Sequence, residues 1–257
     1  MRESRTLKRI REGGVARCTN LGSCNPPFIA HAARAGYDCI WLDLEHRAME
    51  LRELQVLMGH FRLYDIDCML RAPTLEKTQL YRYLEEGATG LMIPHVSTAE
   101  KARDLVNAVK FPPLGDRGLD NAGFDSGYRQ TENAQAYLEW ANRETFLAVQ
   151  IETPEAVENV ESIAAVPGVD LLFVGPGDLG LRYGLEGDDS GERLEAAFER
   201  VAAASRNHGV PWACPTASPE DLKHRRAQGA SFLANTGEFM ILREGLREAA
   251  KEFEGLD

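Results

Sequence analysis

Short apolar segments alternate with amphipathic segments of helical pattern along the whole chain, and this alternation constrains the fold most strongly. The predicted strands are Gly14–Thr19, Tyr37–Asp43, Asp67–Arg71, Gly90–Pro94, Thr145–Ile151, Val169–Val174, Val210–Pro215 and Ser231–Asn235. About eight strand–helix units within 257 residues are typical of a closed parallel α/β barrel, the TIM-like (β/α)8 fold. No Ser-, Pro- or Gly-rich linker interrupts the pattern, so we predict one barrel domain over residues 1–257.

The segments between the strands carry the usual start and stop signals of helices. Three of them end at Gly36, Gly87 and Gly229, where glycine favours the left-handed backbone that closes a helix. The segment "STAEKARDLVNAV" opens with a Ser/Thr cap and an early Glu, close to a capping box. These signals support the alternation of helices with strands.

Composition and charge exclude several classes of protein. The formal net charge is -11 and the pI about 5.1, so the surface repels phosphate backbones and a nucleic-acid partner is not expected. No apolar run approaches the roughly 18 residues of a membrane span, and the basic start "MRESRTLKRIREGG" lacks the apolar stretch of a secretory signal. The five cysteines are scattered and odd in number, which predicts reduced thiols in a cytoplasmic protein.

Polar side chains stand directly behind several of the apolar segments. In a parallel barrel the C-terminal ends of all strands face one side, where active sites lie. The segment "DCIWLDLEHRAME", residues 38–50, therefore places carboxylates and a histidine at the end of the second strand. The side chains expected together on this face are Asp43, Glu45, His46, Arg71, Gln150, Glu152 and Asp178.

Glu152 and Asp178 follow neighbouring strands and are the candidate metal ligands. Two carboxylates, completed by water and a chelating substrate, suit a hard divalent cation such as Mg²⁺ or Mn²⁺. Alternatively, each carboxylate caps the helix that follows it, because acidic residues are common at helix starts. Spacing alone leaves both interpretations open.

The other strand-end residues suggest a base and an anion site. Histidine side chains can act as general bases near neutral pH, so His46 is the candidate base, although a lone histidine is more often structural. His95, at the end of the fourth strand, competes with it. The guanidinium of Arg71 is suited to bind a substrate carboxylate or a developing enolate oxygen. The alternative is a structural ion pair with an acidic residue at the end of a strand. The backbone N–H groups of Gly177 and Asp178 suit a substrate carboxylate.

Longer motifs extend these observations over nearly the whole chain. "WLDLEH", "MLRAP", "LMIPHVSTAEKARDLVNAVKFPPLGDRG", "VQIETPEAVENVESIAAVPGVDLLFVGPGDLG" and "GASFLANTGEF" resemble the HpcH/HpaI aldolase family of metal-dependent pyruvate aldolases. The resemblance implies a TIM-like barrel that assembles as a homo-oligomer, usually a hexamer whose C-terminal helix is swapped between neighbours. It also implies a divalent metal cofactor, Mg²⁺, Mn²⁺ or Co²⁺.

The resemblance implies a role for each matching residue. Glu152 and Asp178 would hold the metal, with Gln150 in its surroundings. Arg71 would bind the pyruvate or enolate oxygen.

His46 would be the base of the family's mechanism. Glu85 would be its partner, although the family has an aspartate there, and Asp43 would support the His46 region. Leu44 stands where the family usually has glycine.

The glycine-rich stretch at residues 110–130 is the longest irregular stretch, and its segment after "GDRG" is somewhat longer than the family pattern. A connection of that length is more often functional than idle. We expect it to lie over the catalytic face, or to reach a neighbouring subunit's mouth, and there to select the aldehyde. The alternative is a solvated surface excursion.

The function predicted from these residues is a divalent-metal-dependent lyase. It would reversibly cleave a 4-hydroxy-2-oxo acid to pyruvate and an aldehyde, both small-molecule partners. A related enzyme that decarboxylates 2-oxo acids or cleaves an acyl-CoA substrate, and a non-catalytic barrel that binds a small acid, remain alternatives. A Schiff base is disfavoured because no lysine ends an interior strand, although Lys110 follows in a loop.

Overall fold

The computed structural model describes residues 2–120, 122–128, 133–184 and 190–254 and shows a closed parallel barrel. The strands are β1 (Ala16–Leu21), β2 (Cys39–Asp43), β3 (Asp67–Arg71), β4 (Gly90–Ile93), β5 (Phe146–Ile151), β6 (Leu171–Val174), β7 (Trp212–Thr216) and β8 (Phe232–Gly237). They pair in chain order, and β8 pairs with β1. The predicted (β/α)8 barrel is confirmed.

The helices cover the outside of the barrel. They are α1 (Arg5–Arg11), α2 (Pro26–Arg34), α3 (Leu51–Leu63), α4 (Lys77–Glu85), α5 (Ala99–Val109), α6 (Ala134–Glu144), α7 (Pro154–Glu158), α8 (Val160–Ala164), α9 (Pro176–Tyr183), α10 (Ser190–His208), α11 (Pro219–Ala227) and α12 (Glu238–Ala250), with a 3-10 turn at Lys251–Phe253. Over the described residues, no helix combines the length and the apolar character needed to cross a bilayer.

The core has two layers because neighbouring side chains of a strand point to opposite faces. Cys39, Met69 and Phe173 belong to the cluster inside the barrel. Leu42 and Leu70 belong to the larger cluster packed against the helices. Both layers exclude water, so polar side chains collect at the two ends of the barrel.

The N-terminal segment closes the end of the barrel at which the strands begin. Asp67, at the start of β3, is fully buried and accepts hydrogen bonds from Ser4 Oγ at 2.7 Å and from the Thr6 backbone N–H at 2.8 Å. Arg2 Nη2 donates to the same carboxylate at 2.5 Å. The opposite end, where the strands finish, is left for the site.

The described part of the loop between α5 and α6, residues 110–120 and 122–128, lies at this closed end, so the expectation that the stretch covers the catalytic face of its own barrel is wrong for these residues. Residues 121, 129 and 130 of the stretch lie outside the described residues. The Asp125 backbone N–H donates to the carbonyl of Glu85, which lies just before β4. Lys110 Nζ lies 2.7 Å from Asp170, which lies just before β6. The reason is the fold's alternation: α5 returns the chain from the C-terminal ends of the strands to their N-terminal ends.

Candidate active site

Asp43 organises the turn that follows β2. Its Oδ1 accepts the backbone N–H groups of Glu45 at 3.1 Å and His46 at 3.3 Å. The guanidinium of Arg71 donates to both carboxylate oxygens, from Nε at 2.9 Å and from Nη2 at 2.7 Å. Burial opposes ionisation of Asp43, but the bonds and charge of Arg71 and the two N–H groups together hold its pKa below the usual value.

Arg71 is held on three sides. Besides Asp43, its Nη1 lies 2.9 Å from Glu45 Oε2, and its guanidinium lies 4.6 Å from the centre of the Trp41 ring. The side chain is 8% exposed. Arg71 therefore does form a structural ion pair with acidic residues at the end of a strand. These contacts use three of the five N–H groups of a guanidinium, which leaves two for a substrate oxygen.

Glu152 lies at the end of β5 and is only 2% exposed. Its Oε1 accepts the His95 backbone N–H at 2.7 Å and lies 3.0 Å from His95 Nδ1, while Oε2 accepts Gln150 Nε2 at 2.9 Å. Burial raises the pKa of Glu152; the bond and charge of His95 oppose the shift, and the charges of Asp178 and Glu45 add to it. The site thus brings several carboxylates close together.

Gly175 makes room for the Glu152 carboxylate. A Cβ at this position would lie 2.6 Å from Glu152 Oε2, closer than real Cβ atoms approach. The glycine at the end of β6 is therefore required by the neighbouring carboxylate. The same residue is the N-cap of α9 and offers no capping side chain.

Asp178 lies in the first turn of α9. Its Oδ1 accepts Arg182 Nη1 at 2.6 Å, and the same nitrogen lies 3.3 Å from the Glu152 carbonyl oxygen. Arg182 therefore links the two predicted metal ligands. The capping alternative does not hold, because α9 has Gly175 as its N-cap and the helix after β5 is capped by the Thr153 side chain.

The donor set fits a hard divalent cation. The charges of Asp178 and Glu45 help to raise the pKa of Glu152, so three carboxylates concentrate negative charge in one region. All three offer oxygen ligands. Gln150 Oε1 is buried beside Glu152 and has no hydrogen-bond partner, so an oxygen acceptor stands unsatisfied there. Within the described ranges no three His, Cys, Asp or Glu side chains stand at metal-ligand spacing. Two protein carboxylates completed by water and substrate match this arrangement.

The residues of the predicted anion site lie at the start of α9. Gly177 and Asp178 lie in its first turn, where backbone N–H groups have no partner within the helix. A Cβ on Gly177 would meet nothing within 4 Å, so the space beside it is open. A carboxylate can approach these groups.

His46 and Glu85 are not brought together within one chain. His46 is 58% exposed at the mouth, with Nε2 3.6 Å from Glu45 Oε2. Glu85 ends α4 at the closed end of the barrel, where burial raises its pKa against the charge of Arg117. Over the described residues, neither a hydrogen bond nor an ion pair joins it to His46.

Sequence reasoning gave Glu45 no role and treated His95 only as a competing base. The structure places Glu45 against Arg71 and within 3.8 Å of His95 Nε2. Both follow a strand directly, so the strand-end rule contained the signal. Lys101 was missed altogether, because it lies on a helix.

A closed parallel barrel with acids, histidines and an arginine at its C-terminal strand ends defines a (β/α)8-barrel enzyme. The sequence profile of the HpcH/HpaI aldolase/citrate lyase family matches residues 20–243. The chain belongs to this family, and its activity is that of an aldolase, a carbon–carbon lyase.

Two characterised relatives and a solved structure are similar over most of their length. The 2-dehydro-3,6-dideoxy-6-sulfogluconate aldolase of Pseudomonas putida is 32% identical over 221 residues, 86% of either chain. The hydroxypyruvate/pyruvate aldolase of Pseudomonas aeruginosa is 32% identical over 98% of this chain and 93% of the relative. The crystal structure of an HpcH/HpaI aldolase from Desulfitobacterium hafniense DCB-2 has a TM-score of 0.90 at 30% identity, covering 97% of this chain and 96% of the other.

Proposed function

We propose that this chain is a divalent-metal-dependent aldolase that reversibly cleaves a 4-hydroxy-2-oxo acid to pyruvate and an aldehyde. The observation that carries the proposal is the group of carboxylates at the ends of β5 and β6, beside the unsatisfied Gln150 Oε1. The names of relatives that act on pyruvate or hydroxypyruvate support the same substrate half.

Glu152 and Asp178 would hold the cation, Mg²⁺, Mn²⁺ or Co²⁺. When bound, the cation would supply Lewis-acid stabilisation of the 2-oxo acid. The N–H groups of Gly177 and Asp178 orient the substrate carboxylate. Arg71, preorganised by Asp43 and Glu45, directs its two remaining N–H groups at the keto oxygen and stabilises the charge that develops there.

His46 moves the proton of the cleavage step. His46 takes the proton from the C4 hydroxyl, and the C3–C4 bond breaks as C4 becomes the carbonyl carbon of the aldehyde. The electron pair of the broken bond moves toward C2 and the keto oxygen. The proton that His46 has taken is then returned to C3 of the enolate, which gives pyruvate and restores the neutral imidazole. Glu45, 3.6 Å from His46 Nε2, is the carboxylate placed to stabilise the protonated imidazole.

The test is pyruvate release from a panel of 4-hydroxy-2-oxo acids, before and after treatment with EDTA. We expect cleavage that EDTA abolishes and that Mg²⁺, Mn²⁺ or Co²⁺ restores. Glu152→Ala and Asp178→Ala should each weaken the binding of Mn²⁺ measured by calorimetry, whereas Glu155→Ala, an acidic residue in the first turn of α7, serves as the matched control.

Activity that survives complete metal removal would contradict the proposal. A Schiff-base route would show itself as inactivation by borohydride in the presence of pyruvate. The position of Lys110, which is buried at the closed end and paired with Asp170 at 2.7 Å, already argues against that lysine.

A further inference from the structure

A cavity of about 240 Å³ adjoins the proposed metal site. It lies between the loop after β3 and the start of α5, and it shares Glu45 and His95 with the site. Pro73 and Leu75 form part of an apolar wall. At about 30 Å³ per water molecule the volume equals roughly eight waters, which is room for a short carbon chain with a polar end.

Lys101 is the ammonium that lines this cavity. It lies in the first turn of α5, where its backbone N–H is bound by Thr98 Oγ1 at 3.2 Å. Its side chain folds back toward β4, so that Nζ donates to the His95 carbonyl at 2.9 Å and lies 3.5 Å from the Pro94 carbonyl. An ammonium carries three donors, so at least one remains after these bonds.

The backbone of His95 fixes the position of this ammonium. His95 has a φ of 55°, in the left-handed region that residues other than glycine rarely adopt. This conformation presents the His95 carbonyl to Lys101 while its N–H and imidazole face Glu152. The turn thus sets the cation at a fixed distance from the metal site.

Among the described residues, Lys101 lacks the carboxylate partner that four of the other five lysines have, and the fifth, Lys223, is exposed to water. Lys8, Lys77, Lys110 and Lys251 each lie within 2.9 Å of a carboxylate oxygen. Lys101 is half-buried, and over the described residues no carboxylate lies within ion-pair distance of its Nζ. Burial lowers its pKa, against the opposing charge of Glu152. Cations that are partly removed from water are normally paired, so an anion is expected to complete this site.

We propose that Lys101 binds the far end of the aldehyde, and that the aldehyde partner of this enzyme therefore carries an anionic terminal group. The proposal rests on the aldolase function proposed above and specifies its second substrate. The reacting carbonyl lies near His46 and the metal ligands, the carbon chain lies along Pro73 and Leu75, and the carboxylate, sulfonate or phosphate reaches Lys101.

The test compares aldehydes in the condensation direction, with pyruvate and Mn²⁺. Each anionic aldehyde has a neutral counterpart: succinic semialdehyde and its methyl ester, sulfoacetaldehyde and propanal, glycolaldehyde phosphate and glycolaldehyde. A hydrogen bond to a charged group contributes about 1.5–3 kcal/mol, so kcat/KM should favour the anionic member of the best pair by about 10–100-fold. The pair with the largest ratio identifies the anion.

The variant Lys101→Met should bring that ratio close to one. Its kcat/KM for the neutral aldehydes should stay within about threefold of wild type, which also shows that the variant is folded. Lys101→Arg should retain part of the preference. Lys223→Met, at an exposed position on α11, should leave the ratio unchanged.

Two failures are distinguishable. If the enzyme condenses pyruvate with aldehydes but shows no anionic preference, or if Lys101→Met keeps the preference, the assignment of Lys101 is overturned and the aldolase function stands. If neither kind of aldehyde is condensed by the metal-loaded wild type, the proposed function fails and this inference fails with it.

Discussion

Asp43 and Glu45 determine what Arg71 and His46 can do. The two carboxylates take three donors of Arg71, and Asp43 also binds the backbone N–H of His46. Arg71 is thus held before any substrate arrives, so little reorganisation is needed when charge develops on a bound oxygen. His46 keeps its side chain exposed because only its backbone takes part in the turn.

Replacing His46 tests the assignment of the base. We expect His46→Ala to lower kcat by about 10²–10⁴-fold, which is the usual contribution of a general base. The affinity for Mn²⁺ should be nearly unchanged, because His46 is not among the proposed ligands. Steady-state kinetics and calorimetry of the same preparation measure both quantities.

His60→Ala is a suitable control, since His60 is a half-buried histidine on α3 whose described side-chain hydrogen bond stays within its own helix, at the Val56 carbonyl. Wild-type turnover in His46→Ala would contradict the prediction. It would also make His95, which contacts Glu152 directly, the next candidate for the base.

The residues that could be predicted from the sequence are those that end strands. Asp43, Arg71 and Glu152 were located because a parallel barrel collects its strand ends, and the apolar run before each one marks the end clearly. Glu85 was taken from the family resemblance, and the topology places it at the other end of the barrel. Lys101 lies on a helix and acts through a folded-back side chain, which no strand-end rule detects.

The same contrast holds for whole elements. The eight strands lie within a few residues of the predicted ranges, because buried parallel strands are short apolar runs bounded by turn signals. The described residues of the stretch 110–130 lie at the closed end and not over the catalytic face, because they follow α5, which returns the chain to the start of the strands. From there they can reach an active-site opening only in a neighbouring subunit.

Asp125 holds the described part of this loop against the barrel. It accepts Tyr137 Oη at 2.6 Å and lies 3.4 Å from Arg117 Nη2, and all three side chains are buried. Asp125→Ala leaves a buried arginine and a buried hydroxyl without their partner. Removing one member of a buried pair costs about 3–5 kcal/mol, so the free energy of unfolding should fall by about that amount.

Denaturant unfolding at one protein concentration measures this loss, and Asp120→Ala, an exposed aspartate of the same loop, should show almost none of it. Aldehyde preference should stay as in wild type if the loop serves only its own barrel. A changed preference with unchanged stability would show instead that the loop meets the site of another subunit.

At the scale of the whole molecule, the apolar side chains of α12 are not covered by the barrel of the same chain. Glu238 fixes the start of this helix, since its buried carboxylate accepts Ser23 Oγ at 2.5 Å and Asn25 Nδ2 at 2.9 Å. Beyond that point Ile241 and Leu246 are 47% and 71% exposed.

Two cavities border α2 or the residues that follow it, and one of them also touches α12. One, of about 350 Å³, lies between α2 and Ile241. The other, of about 320 Å³, lies between the end of α2 and α11 and is lined by Tyr37 and Leu222. An exposed apolar helix beside an unfilled groove of the same chain favours exchange of helices between copies.

We therefore expect a homo-oligomer, with the hexamer implied by the family as the leading candidate. Light scattering at micromolar concentration should give a mass several times the 28.5 kDa of one chain. The double variant Ile241→Asp and Leu246→Asp places two charges in the contact and should shift the mass toward the monomer. Leu63→Asp, at a 70% exposed leucine of α3, is the matched control and should keep the wild-type mass. A wild-type protein that stays at 28.5 kDa would contradict the prediction.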